Sequence, residues 1–232
     1  MFYENTLTGI FIERPNRFIA LVEIDGKTEK CHVKNTGRCK ELLIKGVKVV
    51  LSLSDNSERK TKYDVIAVWK GERLINIDSQ IPNRVVEESL PHIGLIDGLK
   101  TVRSETVHGD SRFDFFAEGK KKCFVEVKGV TLEKDGIALF PDAPTERGLK
   151  HVRGLIECVK EGYEAYIFFL IQMKDVRYFT PNYETHPEFG EALIEAEKNG
   201  VHIVAYDCEV TESSIELRNP VKIILTRNGL SS

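Results

Sequence analysis

The chain has 232 residues, enough for one large packed core or two small ones. Its 33 Lys and Arg stand against 36 Asp and Glu, a formal net charge of −3. No global basic field therefore marks a nucleic-acid binder, and any such binding must come from local patches. The five cysteines, at positions 31, 39, 123, 158 and 208, form no CxxC pair and exclude a zinc ribbon or a disulfide framework. No apolar stretch is long enough to span a bilayer and no basic-then-apolar leader opens the chain, so the expectation is a soluble cytoplasmic protein with no membrane partner.

Residues 1–80 read as β-rich. FIALVEID and TEKCHVKN flank Gly26 as a hairpin, and GVKVVLSLS, KYDVIAVWK and RLINID follow. These short strands, broken by one brief helix candidate, GRCKELLI, predict a small closed barrel of OB type; a small β-sandwich or SH3-like barrel is the alternative. Within NTGRCKELL, Asn35, Gly37 and Arg38 form a turn into that helix start, where backbone donors and a cation can hold phosphate. Arg38 and Lys40 are candidate nucleic-acid contacts on this basis, although an ordinary capped turn has the same letters.

From Ile81 to the end, residues 81–232, the rhythm is that of an α/β domain. PNRVVEESL predicts a short helix with Pro82 near its start, and LKTVRSETV a strand. RFDFFA and CFVEVKGV are rich in aromatic and β-branched residues and flank EGKKK as a hairpin. TERGLKHVRGLIECVKEG has Leu149, Val152, Ile156 and Val159 at helical spacing, with Thr145 as cap and Gly162 as stop. AYIFFLIQM suits the buried middle of a sheet, Pro187 opens another helix, and VHIVAYDCEV is a last strand. P-loop, GxGxxG, HExxH and GxSxG patterns do not occur.

Asp114, Glu126 and Lys128 interrupt the apolar hairpin. With a loop over residues 118–122, Ala117 faces Cys123 and Asp114 falls opposite Glu126. Strand alternation then puts Lys128 on the face of Glu126, about 7 Å along the strand, with Phe113, Phe115, Val125 and Val127 turned the other way. Two facing carboxylates repel unless a cation joins them or one is protonated. Magnesium or manganese, held by Asp114 and Glu126, would remove the conflict, and Lys128 could orient a water. Asp followed by Glu-x-Lys on the next strand is the PD-(D/E)xK nuclease pattern; a solvated, salt-bridged strand face is the bland alternative. Lys120, Lys121 and Lys122 at the hairpin tip read as a solvated charge run. FPDAPTERGLKH follows, with Arg147 near a helix start suited to phosphate and His151 one turn on. Glu88, with Glu87 as competitor, is a candidate third carboxylate.

In chain order, NTGRCKELL, PNRVVEESL, GDSRFDFF, FVEVKGVTL, FPDAPTERGLKH and GVHIVAYDCEV resemble the pattern of the sugar fermentation stimulation proteins (SfsA) over nearly the whole chain. The resemblance implies a DNA-binding protein with an N-terminal OB-like domain and a C-terminal domain resembling the PD-(D/E)xK restriction-endonuclease-like fold. It carries Asp114, Glu126 and Lys128 onto the nuclease-like motif positions and Glu88 onto the helix carboxylate. Gly129 departs from the pattern, since many members have Ser there. Two readings follow. One is a metal-dependent nuclease in which Asp114 and Glu126 hold Mg2+ or Mn2+, with Lys128 and Glu88 completing the catalytic set and Arg38, Lys40, Arg147 and His151 contacting DNA. The other is a non-cleaving, largely sequence-nonspecific DNA-binding regulator of sugar-utilisation genes.

Overall fold

The computed structural model describes residues 1–35, 37, 39–54 and 59–226. β1 (Thr6–Asn16), β2 (Ile19–Ile24), β3 (Lys27–Val33), β4 (Lys48–Leu53), β5 (Tyr63–Lys70) and β6 (Arg73–Asn76) form one sheet in the order β3-β2-β1-β4-β5-β6. A parallel pairing of β3 with β5, from Cys31↔Tyr63 to Val33↔Val65, closes the first five strands into the OB barrel. β1 carries no obvious strand signature, yet it pairs with both β2 and β4. Its Gly9 interrupts the apolar pattern because a Cβ there would stand 2.5 Å from Val22 Cγ1 and 2.8 Å from the Glu23 carbonyl. The helix expected at GRCKELLI is instead, over the described residues from Cys39 on, a single turn. The Leu42 and Leu43 N–H groups both donate to the Cys39 carbonyl, and all three side chains are buried in the barrel core.

The second sheet runs β15-β14-β12-β9-β8-β7. Its strands are β7 (Thr101–His108), β8 (Ser111–Glu118), β9 (Lys122–Val130), β12 (Glu164–Ile171), β14 (His202–Val210) and β15 (Ile215–Pro220). β9, β12 and β14 are parallel, and the outer pairings are antiparallel. AYIFFLIQM supplies the central strand β12, buried from Ala165 to Ile171 because both its faces are covered. α1 (Ile81–Ser89) packs on one face; α2 (Glu146–Lys160) and α3 (Pro187–Lys198) pack on the other. Val85 and Val86 of α1 share a core with Phe115, Val125, Val127 and Phe168. Leu149, Val152 and Ile156 of α2 share the opposite core with Phe113, Phe116, Phe124 and Ile167. Thr145 caps α2 by accepting from the Gly148 N–H.

Three short strands lie outside the expected set: β10 (Leu132–Lys134), β11 (Ile137–Phe140) and β13 (Tyr178–Pro181), which make a small sheet beside the crossovers. The barrel is tied to the larger sheet by Gln172, just beyond β12. Its side-chain amide donates to Asn76 and to the Asp78 carbonyl, and its carbonyl accepts from the Asn76 N–H. Lys70 and Arg73 of the barrel both pair with Glu133 of β10. Among the described residues, no helix is long and apolar enough to cross a membrane.

Candidate metal centre

The hairpin register begins as counting predicts, with Glu118↔Lys122, Ala117↔Cys123, Phe116↔Phe124 and Phe115↔Val125. There the ladder stops. On the far side, β7 pairs Ser104 with Phe115 and Thr106 with Phe113, and Glu105, which faces Asp114, has φ +55°. That left-handed residue breaks the edge strand where β8 parts from β9. The expected alternation fails at the same point, since Phe113 packs on the α2 side and Phe115 on the α1 side. Asp114 uses the gap: one oxygen accepts from the Val127 N–H at 2.7 Å, the other from Asn83 Nδ2 of α1 at 2.7 Å. The picture of two carboxylates stacked across an unbroken ladder is therefore corrected. Their side-chain partners come from opposite sides of the sheet, Asn83 of α1 for Asp114 and His151 of α2 for Glu126, yet each charge is felt by the other. The half-buried Asp114 carboxyl has a raised pKa, first through burial and then through the negative charge of Glu126, against the pull of Val127, Asn83 and Lys128.

Glu126 is 2% exposed. Its Oε1 accepts from Lys128 Nζ at 2.6 Å and from His151 Nδ1 in a short contact. Its Oε2 is buried with no hydrogen-bond partner. Burial alone would raise the Glu126 pKa, but the hydrogen bonds and charges of His151 and Lys128 outweigh it and hold the carboxyl below its usual range. An ionised carboxylate with one bare, buried oxygen is the donor a hard cation takes. Among the described residues, no group of three or more His, Cys, Asp or Glu is placed to hold a metal, so a cation here would rest on two carboxylates and on oxygens from water or substrate.

Other expected residues go elsewhere. His151, expected beside Arg147 as a DNA contact, is buried against Glu126. It lies on the inward stripe of α2 with Gly148, Val152 and Leu155, while Arg147 stands exposed in the first turn. Glu88 is half exposed and pairs with the Met1 amino group and with Arg84, both at 3.0 Å. Burial is the largest single influence and would raise its pKa, but these partners together outweigh it and lower it. It shares a surface depression of about 500 Å3 with Asp114, but the α1 side chain that reaches Asp114 is Asn83, which the sequence reading missed. Glu87 accepts from Ser104. Lys40 is exposed in the barrel turn, and Arg38 lies outside the described residues. The hairpin lysines are exposed and face acids, Lys120 with Asp97, Lys121 with Glu164 and Lys122 with Glu118.

Asn83 also lines a cleft of about 360 Å3 between barrel and sheet, where Asn35 and Gly37 meet the FPDAPT loop. A Cβ on Gly37 would stand 2.7 Å from Asp142 Oδ2, so these two segments touch there. Gly129 lines the same cleft, and a Cβ on it would lie 2.5 Å from Gln172 Oε1 and 2.7 Å from Pro82 Cγ. The departure from Ser at this position thus goes with a close approach of α1 to the end of β9.

Two family models match the chain, "SfsA N-terminal OB domain" over residues 12–77 and "Sugar fermentation stimulation protein RE domain" over residues 80–214. A sugar fermentation stimulation protein homolog of Desulfitobacterium hafniense is 61% identical over 226 residues, covering 97% of this chain and 99% of the relative. One from Clostridium beijerinckii is 58% identical over 226 residues, covering 97% and 100%. Among solved structures, one described as Pyrococcus furiosus SfsA in complex with Ca2+ is similar, with a TM-score of 0.85 and 28% identity over 97% of this chain and 98% of that one.

Proposed function

The chain belongs to the sugar fermentation stimulation protein family, and from that premise we propose that it binds DNA and hydrolyses phosphodiester bonds with Mg2+ or Mn2+ held between Asp114 and Glu126. The observation that carries this reading is the bare Oε2 of Glu126, a buried anionic oxygen aimed at nothing in the protein. The raised pKa of Asp114 supports it, because a bound cation would offset both the burial of its charge, the larger cause, and the repulsion from Glu126. The similar Pyrococcus furiosus protein was solved with Ca2+, another cation that takes oxygen ligands.

When bound, the cation would lower the pKa of a ligated water and neutralise phosphate charge. Glu126 and Asp114 hold their oxygens in place through Lys128, His151, Asn83 and the Val127 N–H. Lys128 keeps its ammonium at Glu126, where its remaining hydrogens can orient a water or a phosphate oxygen. Arg147, exposed at the start of α2, supplies a cation for the DNA backbone, as does Lys40 on the barrel turn. The groups offered to DNA are of the phosphate-contact type, so binding is weakly sequence-specific, with log affinity falling by about 0.9 per contact against log salt on a duplex.

The test is incubation of the purified protein with single-stranded, double-stranded and branched DNA in Mn2+, Mg2+ or EDTA. Products in either metal and none in EDTA are expected. Salt-sensitive binding without products in any metal would replace the reading with that of a non-cleaving DNA-binding regulator. The absence of a three-ligand cluster among the described residues is the observation that favours that alternative.

A further inference from the structure

We propose that His151 is a positioning residue that selects which oxygen of Glu126 meets the cation, and so sets the site's preference for a small octahedral ion over Ca2+. The inference rests on the metal reading above and goes beyond it by giving a role to a side chain with no place in the nuclease motif. Its ring is 6% exposed and sits edge-on to Phe113, 6.1 Å between centroids, so packing fixes its plane. A carboxylate oxygen can only accept, so Nδ1 carries the proton in its short contact with Glu126 Oε1. Lys128 donates to the same oxygen. Two donors converge on Oε1 and none reaches Oε2.

That asymmetry has a coordination consequence. With Oε1 held from two sides, Glu126 can offer a cation only Oε2, in a monodentate contact. Ca2+ readily takes both oxygens of a carboxylate within a large, flexible shell, whereas Mg2+ keeps near-ideal octahedral geometry with one or two carboxylates and several waters. A carboxylate locked to one oxygen suits the second kind. Without His151 only Lys128 holds Oε1, so the carboxylate is freer to swing and present both oxygens, which suits the first. Partners that orient a ligand in this way are worth about 10–100-fold in metal affinity.

The experiment measures Mn2+ and Ca2+ affinity by calorimetry on wild type, His151→Ala and His151→Asn, each checked for folding by its melting curve without metal. The Asn side-chain amide falls near the Nδ1 position and restores the donor. In His151→Ala, Mn2+ affinity falls about 10–100-fold and the ratio of Mn2+ to Ca2+ affinity falls with it; His151→Asn recovers both. A folded His151→Ala that binds Mn2+ with wild-type affinity and ratio overturns the proposal, as does a folded His151→Asn that recovers neither. If wild type itself binds neither ion, the metal reading falls and takes this inference with it. That outcome is distinct from wild type binding and the variants making no difference.

Discussion

Asp64 in the barrel and Glu126 in the larger sheet are both nearly sealed from solvent, at 4% and 2% exposed, and each has a histidine Nδ1 and a lysine in contact. Burial alone would raise both carboxyls, but Asp64 is held below its usual pKa range by Arg59 first, then Lys34 and His32, and Glu126 by His151 and Lys128. The difference lies in the second oxygen. Asp64 Oδ1 receives His32 and Arg59, and its Oδ2 receives Lys34 and a second Arg59 nitrogen. Glu126 Oε1 is likewise doubly bonded, but its Oε2 has nothing. A carboxylate with a histidine and a lysine thus has no acceptor to spare in one place, where Arg59 joins them, and one buried oxygen to spare in the other. A saturated carboxylate holds structure; a spare buried acceptor is what a cation would use.

The largest effect that could break this comparison comes from Glu126→Gln. Gln keeps an acceptor for Lys128 and His151 but places an NH2 where the bare oxygen was, so cation binding and metal-dependent cleavage should both vanish. A ligand at 100 times its Kd stabilises a fold by about 2.7 kcal/mol, a rise of roughly 5–10 °C in a chain of this size. Wild type should show that rise in millimolar Mn2+ and the variant none, with a metal-free loss of about 2–4 kcal/mol because Lys128, 14% exposed, loses its counter-charge. Equal responses of both proteins to metal would remove the site.

Asp64→Asn sharpens the comparison from the other side. It leaves Arg59 short of a counter-charge and Lys34 with Asp78 alone, and breaking a buried ion pair costs about 3–5 kcal/mol. Lys34 and Arg59 keep about a quarter of their side-chain surface, 23% and 27%, so the expected loss is smaller, about 2–3 kcal/mol in urea denaturation. The Mn2+-induced rise in melting temperature should stay at the wild-type value. A lost metal response in a folded Asp64→Asn would mean that the two clusters are not separate in function.

Sequence reading reached one of these clusters and not the other, for identifiable reasons. The register of β8 on β9 follows from a loop count, so the pairing of Ala117 with Cys123 was legible. The opening of that ladder was not, because it involves Glu105 on a neighbouring strand adopting a left-handed conformation. α2 was legible from its apolar spacing, and His151 could have been found on the inward stripe of Gly148, Val152 and Leu155; pairing it with Arg147 pointed it outward instead. Asn83 was hidden because only the docking of α1 decides which of its side chains meets Asp114. β10, β11 and β13, of three or four residues each, are too short for a periodic signal, and β1 lost its signal at Gly9. His32, Lys34, Arg59 and Asp64 come together only when β3 closes on β5.

The smallest effect expected is a difference in the sign of acid sensitivity. Asp64 and Glu126 have lowered pKa values, so their stabilisation is complete above the unfolded pKa, about 4 for carboxyls, and is lost as pH falls through the depressed folded values. Asp114 runs the other way. Its raised folded value means that, as pH falls from neutral, the native protein takes up a proton there before the unfolded chain does. Metal-free protein therefore gains stability from this group over the window between the raised value and about 3.9, each pKa unit being worth about 1.4 kcal/mol. Asp114→Asn removes the charge at every pH and can still accept from the Val127 N–H, with the Asn83 amide turning to match its new neighbour. In EDTA the variant should melt slightly above wild type at neutral pH, with the gap closing as acid protonates Asp114 in the wild type. Melting curves from pH 7 to pH 4 decide it. A gap that widens on acidification would mean that Asp114 is stabilised as an anion, and the repulsion from Glu126 that motivates a shared cation would be absent.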